Sequence, residues 1–173
     1  MTNDDEIVNK IAQSGLVNLN LEDYYDKTPI HIVDIVHFLY EGVMLREKFF
    51  RETLLTYDWQ QHQDAYVGIV CSEEAIIPMW AYMLLSNKLQ PYSKLIVAGD
   101  KHTIEAIIWQ KTLQNIPTDD YKDKRVLVKG CGKIPIPAVA YTYISSLLTP
   151  VVKSLFFGEA CSNVPIYKQK TNS

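Results

Sequence analysis

Apolar residues fall in short runs along the chain, broken by polar turns, and the period of each run predicts its element. Four runs rich in β-branched or aromatic residues read as strands, at 66–71 (YVGIVC), 94–99 (KLIVAG), 125–130 (RVLVKG) and 153–158 (KSLFFG). Between the first two, Trp80, Met83, Leu84 and Asn87 repeat at helical spacing, with Ala81, Leu85 and Leu89 beside them. Pro78 suits the first turn of that helix and Pro91 stops it; Pro137 and Pro150 bracket the same pattern before the last strand. HTIEAIIWQKTLQNI reads as a further helix with Ile104, Ile107, Ile108 and Leu113 as its buried stripe, and PTDDYKDK as a turn.

The pattern repeats. Residues 66–100 fall on 125–159 at an offset of 59 with no gap, and 10 of the 35 positions are identical, among them Val67/Val126, Pro78/Pro137, Tyr82/Tyr141 and Gly99/Gly158. Average composition gives about 2 by chance. Each copy reads strand, helix, strand, which demands a parallel, right-handed crossover. The expected fold is therefore α/β: a Rossmann-like parallel sheet from a duplicated βαβ unit, with helices on both faces. Two units related by a pseudo-dyad put the strands in the order 94–99, 66–71, 125–130, 153–158, with the switch point between the middle pair.

Residues 1–65 read as an N-terminal α+β extension packed on the sheet edge, and 66–173 as the duplicated core, all in one compact domain. EIVNKIAQSGL has the spacing of a short amphipathic helix, with Ile7, Ile11 and Leu16 on its apolar side. LVNLNL alternates like a strand; PIHIVDI and HFLYEGVML read as strands, with Gly42 marking a bulge; REKFFRETLLTYDW reads as a helix carrying Phe49, Phe50 and Leu54.

Composition narrows the class. At 173 residues, 47% hydrophobic and 21% charged, the chain can fill one ordinary core. A net charge of −3 with no basic run disfavours nucleic acid, whose binding rests on phosphate neutralisation. No apolar stretch approaches the roughly 20 residues that span a bilayer, and the acidic MTNDDEIVNK does not read as a secretory signal. Three cysteines, an odd number with no CxxC pair, point to free thiols in a reducing compartment, so a cytoplasmic protein is expected.

Chemistry collects where the predicted strands end. Cys71 closes the 66–71 strand, Cys131 lies one residue past the end of 125–130, and the other two strands end in Gly-acid pairs, Gly99-Asp100 and Gly158-Glu159. Under the same offset His102 falls on Cys161. One reading gathers Cys71, Cys131 and Cys161, with His102 as fourth ligand, into a site for zinc or an iron–sulfur cluster, with Asp100 and Glu159 on the same rim. A second makes Cys131 a nucleophile between Gly130 and Gly132, whose amides would cradle an anion ahead of a helix N-terminus. The third is that small thiols simply fill strand ends and acids cap helices. His31 and His37 flank an apolar segment and read as structural histidines; His62, in WQQHQD, reads as a solvated loop residue. Eleven tyrosines and three tryptophans fit a surface for a protein partner or a second copy of the chain.

The combination of EIVNKIAQSGL, LEDYY, EGVMLREKFFRE, IIPMWAYM, KGCG and FGEACSNVPIYK resembles a bacterial family known as domain of unknown function 2480, over nearly the whole chain. The resemblance carries Cys131 and Cys161 across but supplies no match for His102. It implies no established activity, and leans toward the cysteine reading, with the protein as an accessory to iron–sulfur cluster assembly.

Overall fold

The computed structural model describes residues 15–130 and 132–170. The chain divides into two units: Lys27–Ile108, here the inserted unit, and an outer unit built from the described residues on either side of it. The predicted amphipathic segment around Ile7 and Ile11 lies outside the described residues. No helix among the described residues is long and apolar enough to cross a membrane.

The inserted unit runs β2 (Ile30–Asp34), α1 (Glu47–Thr56), β3 (Tyr66–Val70), α2 (Met79–Leu89), β4 (Leu95–Ala98) and the start of α3 (Lys101–Leu113), in a parallel sheet of order β2-β3-β4. The outer unit runs β1 (Leu16–Asn20), the end of α3, β5 (Arg125–Lys129), α4 (Ala138–Leu148), β6 (Ser154–Glu159) and β7 (Ser162–Lys168), in a sheet of order β1-β5-β6-β7. The protein is thus α/β, and every strand pair is parallel except β6 with β7.

The four predicted strands all form, but they do not share the single sheet expected of them. The inner edges meant to meet, those of β3 and β5, are occupied: β2 pairs with β3 from Ile30↔Tyr66 to Asp34↔Val70, and β1 pairs with β5 from Leu16↔Arg125 to Asn20↔Lys129. Two short N-terminal strands satisfy the backbone groups that the pseudo-dyad would have joined.

Positions aligned by the offset of 59 make matching hydrogen bonds. The Asp64 amide donates to the Tyr92 carbonyl at 2.8 Å and its equivalent Asp123 to Val151 at 2.9 Å; Lys94 donates to Ala65 and Lys153 to Lys124, both at 2.9 Å. Asp64 and Asp123 are both left-handed, with φ 59° and 58°, a conformation that Asp tolerates better than most side chains. The offset also reaches further back than sequence identity suggests. Phe50 and Leu54 of α1 are buried in one core, and Trp109 and Leu113, 59 residues on, are buried in the other. The second half of α3 therefore does for the outer unit what α1 does for the inserted one. The leading strands are equivalent too: Asn20 and Asp34 each end a strand and accept the amide two residues on, at 3.3 and 3.1 Å, to start a 3-10 turn.

Each core lies under one face of its sheet. Ala81, Leu85 and Leu89 of α2 pack on Val67 and Ile69, and Ala140, Ile144 and Leu148 of α4 pack on Val126 and Val128. This i, i+4, i+8 stripe leaves Met83 on the solvent side. The opposite face distinguishes the copies. At Gly68, in the middle of β3, a Cβ would lie 2.5 Å from the Gly99 carbonyl oxygen and 2.7 Å from Ile104 Cδ1, so the bare backbone lets the first turns of α3 approach. Its equivalent is Leu127, fully buried, and after β6 the chain turns back as β7 instead of entering a helix.

Two local expectations differ. HFLYEGVML is not a strand: Ile35–Phe38 is a 3-10 turn, and Glu41 and Gly42, both at positive φ, close a tight turn in which Met44 donates to Tyr40 at 3.1 Å. Gly42 thus supplies turn geometry and not a bulge. SNVPIYK, beyond the last predicted strand, is β7, and Pro165 sits in it because the strand is an edge.

Candidate functional site

At the carboxyl end of the outer sheet, Lys129 Nζ and Glu159 Oε2 form an ion pair at 2.6 Å between neighbouring strand ends. The loop leading from β5 to α4 is held from two sides. The Tyr141 hydroxyl donates to the Gly130 carbonyl at 2.9 Å, and the Ile134 amide donates to the Glu22 carboxylate at 3.2 Å. A side chain at Gly130 would meet the Tyr141 hydroxyl, and one at Gly132 the Glu22 carboxylate. These close approaches account for both glycines. Cys131 between them lies outside the described residues. Cys161 is exposed in the two-residue turn between β6 and β7, a place set by the hairpin.

In the inserted unit Cys71 follows β3, half-buried, and its thiol donates to the Glu73 carbonyl at 3.2 Å. Asp34 accepts the Val36 and Ser72 amides at 3.1 and 3.2 Å. Partial burial pushes its carboxyl up, but the hydrogen bonds from Ser72 and Val36, with His37 nearby, hold it below the usual range. Asp100 accepts both the amide and the hydroxyl of Thr103, at 2.9 and 2.8 Å, which caps α3 and lowers its pKa. His102, one residue into α3, is 91% exposed, and its ring lies 3.8 Å from the Glu105 carboxylate. Of the four residues read as ligands, Cys71 and His102 belong to the inserted unit and Cys161 to the outer one. Among the described residues no three His, Cys, Asp or Glu side chains converge to hold a metal ion.

His62 is corrected outright. It is 3% exposed, because the 3-10 turn Trp59–His62 tucks its ring against Tyr57, stacked at 11°, and against His31. The polar WQQHQD context hid this: a one-turn helix carries too few residues for periodicity to report which of them turns inward.

Two surface features had no place in the strand-end picture. Beside α4 the outer unit holds a cavity of about 570 Å³ lined by Val128, Ile144, Leu155, Phe157 and Ile166, with the Thr142 and Ser146 hydroxyls already bonded to their own helix carbonyls. In the inserted unit three large apolar side chains stand in solvent on and before α2: Ile76 at 94% exposure, Met79 at 70% and Met83 at 71%. Their equivalents in the other copy are Pro135, Ala138 and Thr142, which are also exposed. The fold therefore accepts small or polar residues at these places and does not need the apolar ones. The sequence contained the signal, as a difference between aligned copies.

A family model described as Protein of unknown function (DUF2480) matches residues 5–169. No curated protein and no solved structure matches the chain.

Proposed function

Since the chain belongs to the DUF2480 family, whose description assigns no activity, we propose a function from its surface: it is a binding protein that docks a protein partner on the stripe Ile76, Met79 and Met83. The observation that carries this reading is the contrast between copies, with three exposed large apolar residues in one and Pro, Ala and Thr at the same places in the other. Exposed apolar clusters of this kind mark interaction surfaces, and methionine adapts its shape to what it meets. Exposed Glu73 and Glu74 come just before Ile76 in the chain, so the partner this surface fits presents apolar side chains next to basic ones. Burying the three residues is worth roughly 4–7 kcal/mol gross, before the entropy of association is subtracted.

The test uses the second copy as its control. A photo-crosslinking residue at position 79 should give a discrete adduct in the producing cell, and one at position 142 should not. Met83→Glu should remove the adduct, since losing about 2 kcal/mol of apolar burial weakens binding roughly thirtyfold. An adduct of twice the chain mass identifies a second copy as the partner. No adduct at 79, or equal adducts at 79 and 142, refutes the proposal.

A zinc or iron–sulfur site on Cys71, Cys131, Cys161 and His102, serving cluster assembly, draws less support. Among the described residues no three such side chains converge and His102 stands in solvent, while Cys131, also the proposed nucleophile, lies outside the described residues.

A further inference from the structure

Tyr57, His62 and His31 form a chain of side-chain hydrogen bonds in the inserted unit. The Tyr57 hydroxyl is 3.0 Å from His62 Nε2, and His62 Nδ1 is 3.2 Å from His31 Nδ1. His31 lies in β2, which among the described residues is an edge strand paired with β3. His62 ends the Trp59–His62 turn, which is fixed on its other side by the Trp59 indole donating to the Leu54 carbonyl at 2.9 Å. The two imidazoles therefore join the edge strand to a turn anchored in the core.

We propose that this chain is a proton-operated latch: it holds β2 in place while the histidine pair carries at most one positive charge, and releases it when both rings are charged.

The reason is proton counting. A nitrogen–nitrogen hydrogen bond needs one Nδ1 with a hydrogen and one without. A neutral pair meets this with either ring donating; with His31 as donor the His62 Nε2–H points at the Tyr57 oxygen, and with His62 as donor the Tyr57 hydroxyl donates to Nε2. One added proton leaves a hydrogen on each Nε2 and one shared between the two Nδ1 atoms, so the bond survives. The second must enter at the remaining bare Nδ1, which then faces the other ring's N–H, and two cations stand with ring centroids 5.4 Å apart. Burial of His62 opposes that proton first and His31 second; Asp58, which caps the turn by accepting the Gln60 amide at 3.1 Å, favours it. The other charged residues on the surrounding elements are Asp34 on β2, Asp64 after the turn, Lys88 on α2, and Glu47, Lys48, Arg51 and Glu52 on α1. Burial, helped by Asp58, keeps Tyr57 a neutral phenol throughout. What release uncovers is an edge of β3, a row of backbone groups able to pair with another strand.

The test is amide hydrogen exchange on the whole protein between pH 7.5 and 5.0, corrected for the intrinsic chemical rate. Protection across residues 30–34 should fall about tenfold or more toward pH 5, while that of α2 holds, and His31→Gln should abolish the pH step. Flat protection in the wild type, or an unchanged step in His31→Gln, overturns the proposal. Imidazole nitrogen shifts in the wild type give a check that does not depend on a variant folding. His62 should stay neutral below the ordinary imidazole range; a His62 ring that charges as an independent histidine overturns the latch.

Discussion

Gly68→Ala sets two physical effects of opposite sign against each other. Intrinsic preference favours the change, since Gly inside a strand is roughly 0.5–1 kcal/mol worse than Ala. Sterics oppose it. The new methyl would sit 2.5 Å from the Gly99 carbonyl oxygen, 2.7 Å from Ile104 Cδ1 and 2.9 Å from Ile32 Cδ1, and the nearest of these is backbone. The two aliphatic termini can rotate away, but the carbonyl moves only with β4 and the start of α3. Overpacking of this kind costs about 1–3 kcal/mol, so the balance is a loss of about 1–2 kcal/mol. With a urea slope of about 2 kcal/mol per molar, the midpoint should drop by roughly 0.5–1 M. Hydrogen exchange locates the damage: amides of β3, β4 and the first turns of α3 should lose protection while those of β5 and α4 keep theirs. A midpoint that is unchanged or raised would refute the claim that Gly68 exists to admit α3, and would leave strand propensity as the larger effect.

Leu127→Ala, the equivalent change in the other copy, removes a fully buried side chain and should cost about 2–5 kcal/mol, seen as a lower urea midpoint with protection lost first in β5. On the native protein, iodoacetamide followed by mass spectrometry should modify the exposed Cys161 well before the half-buried Cys71, whose thiol is bonded to Glu73. Acid should weaken the fold through His62. Its burial, and next the neighbouring His31, hold it below the ordinary imidazole value of about 6.5, so below that pH the unfolded chain binds more protons than the native one. The stability present above pH 6.5 is therefore lost as pH falls from there toward the folded value, and His62→Gln should show a shallower loss in thermal melts run across that range.

Much of the architecture could be read from local pattern. The four core strands, the helices Met79–Leu89 and Ala138–Leu148, and the duplication linking 66–100 to 125–159 are consequences of period, flanking proline and a constant offset. The correspondence between the two units reaches further in the structure than the sequence showed, for a physical reason. The equivalent leading strands β1 and β2 are 14 residues apart, because the whole inserted unit intervenes between β1 and β5, and no search at offset 59 can align them. The Phe50/Trp109 and Leu54/Leu113 pairs keep that offset, but burial conserves size and not identity, so only one of the two is an identity.

Which edges pair, and which residues face water, belonged to tertiary structure alone. LVNLNL and PIHIVDI read correctly as strands, yet nothing local says that they take the free edges of β5 and β3 and so divide one sheet into two. The same holds for His62, buried by its partners Tyr57 and His31, and for Met83, left in solvent because Ala81, Leu85 and Leu89 had taken the core face. Hydrophobic period encodes how a segment folds on itself. Pairing and exposure depend on what arrives from elsewhere in the chain, and that information is distributed over residues tens of positions apart.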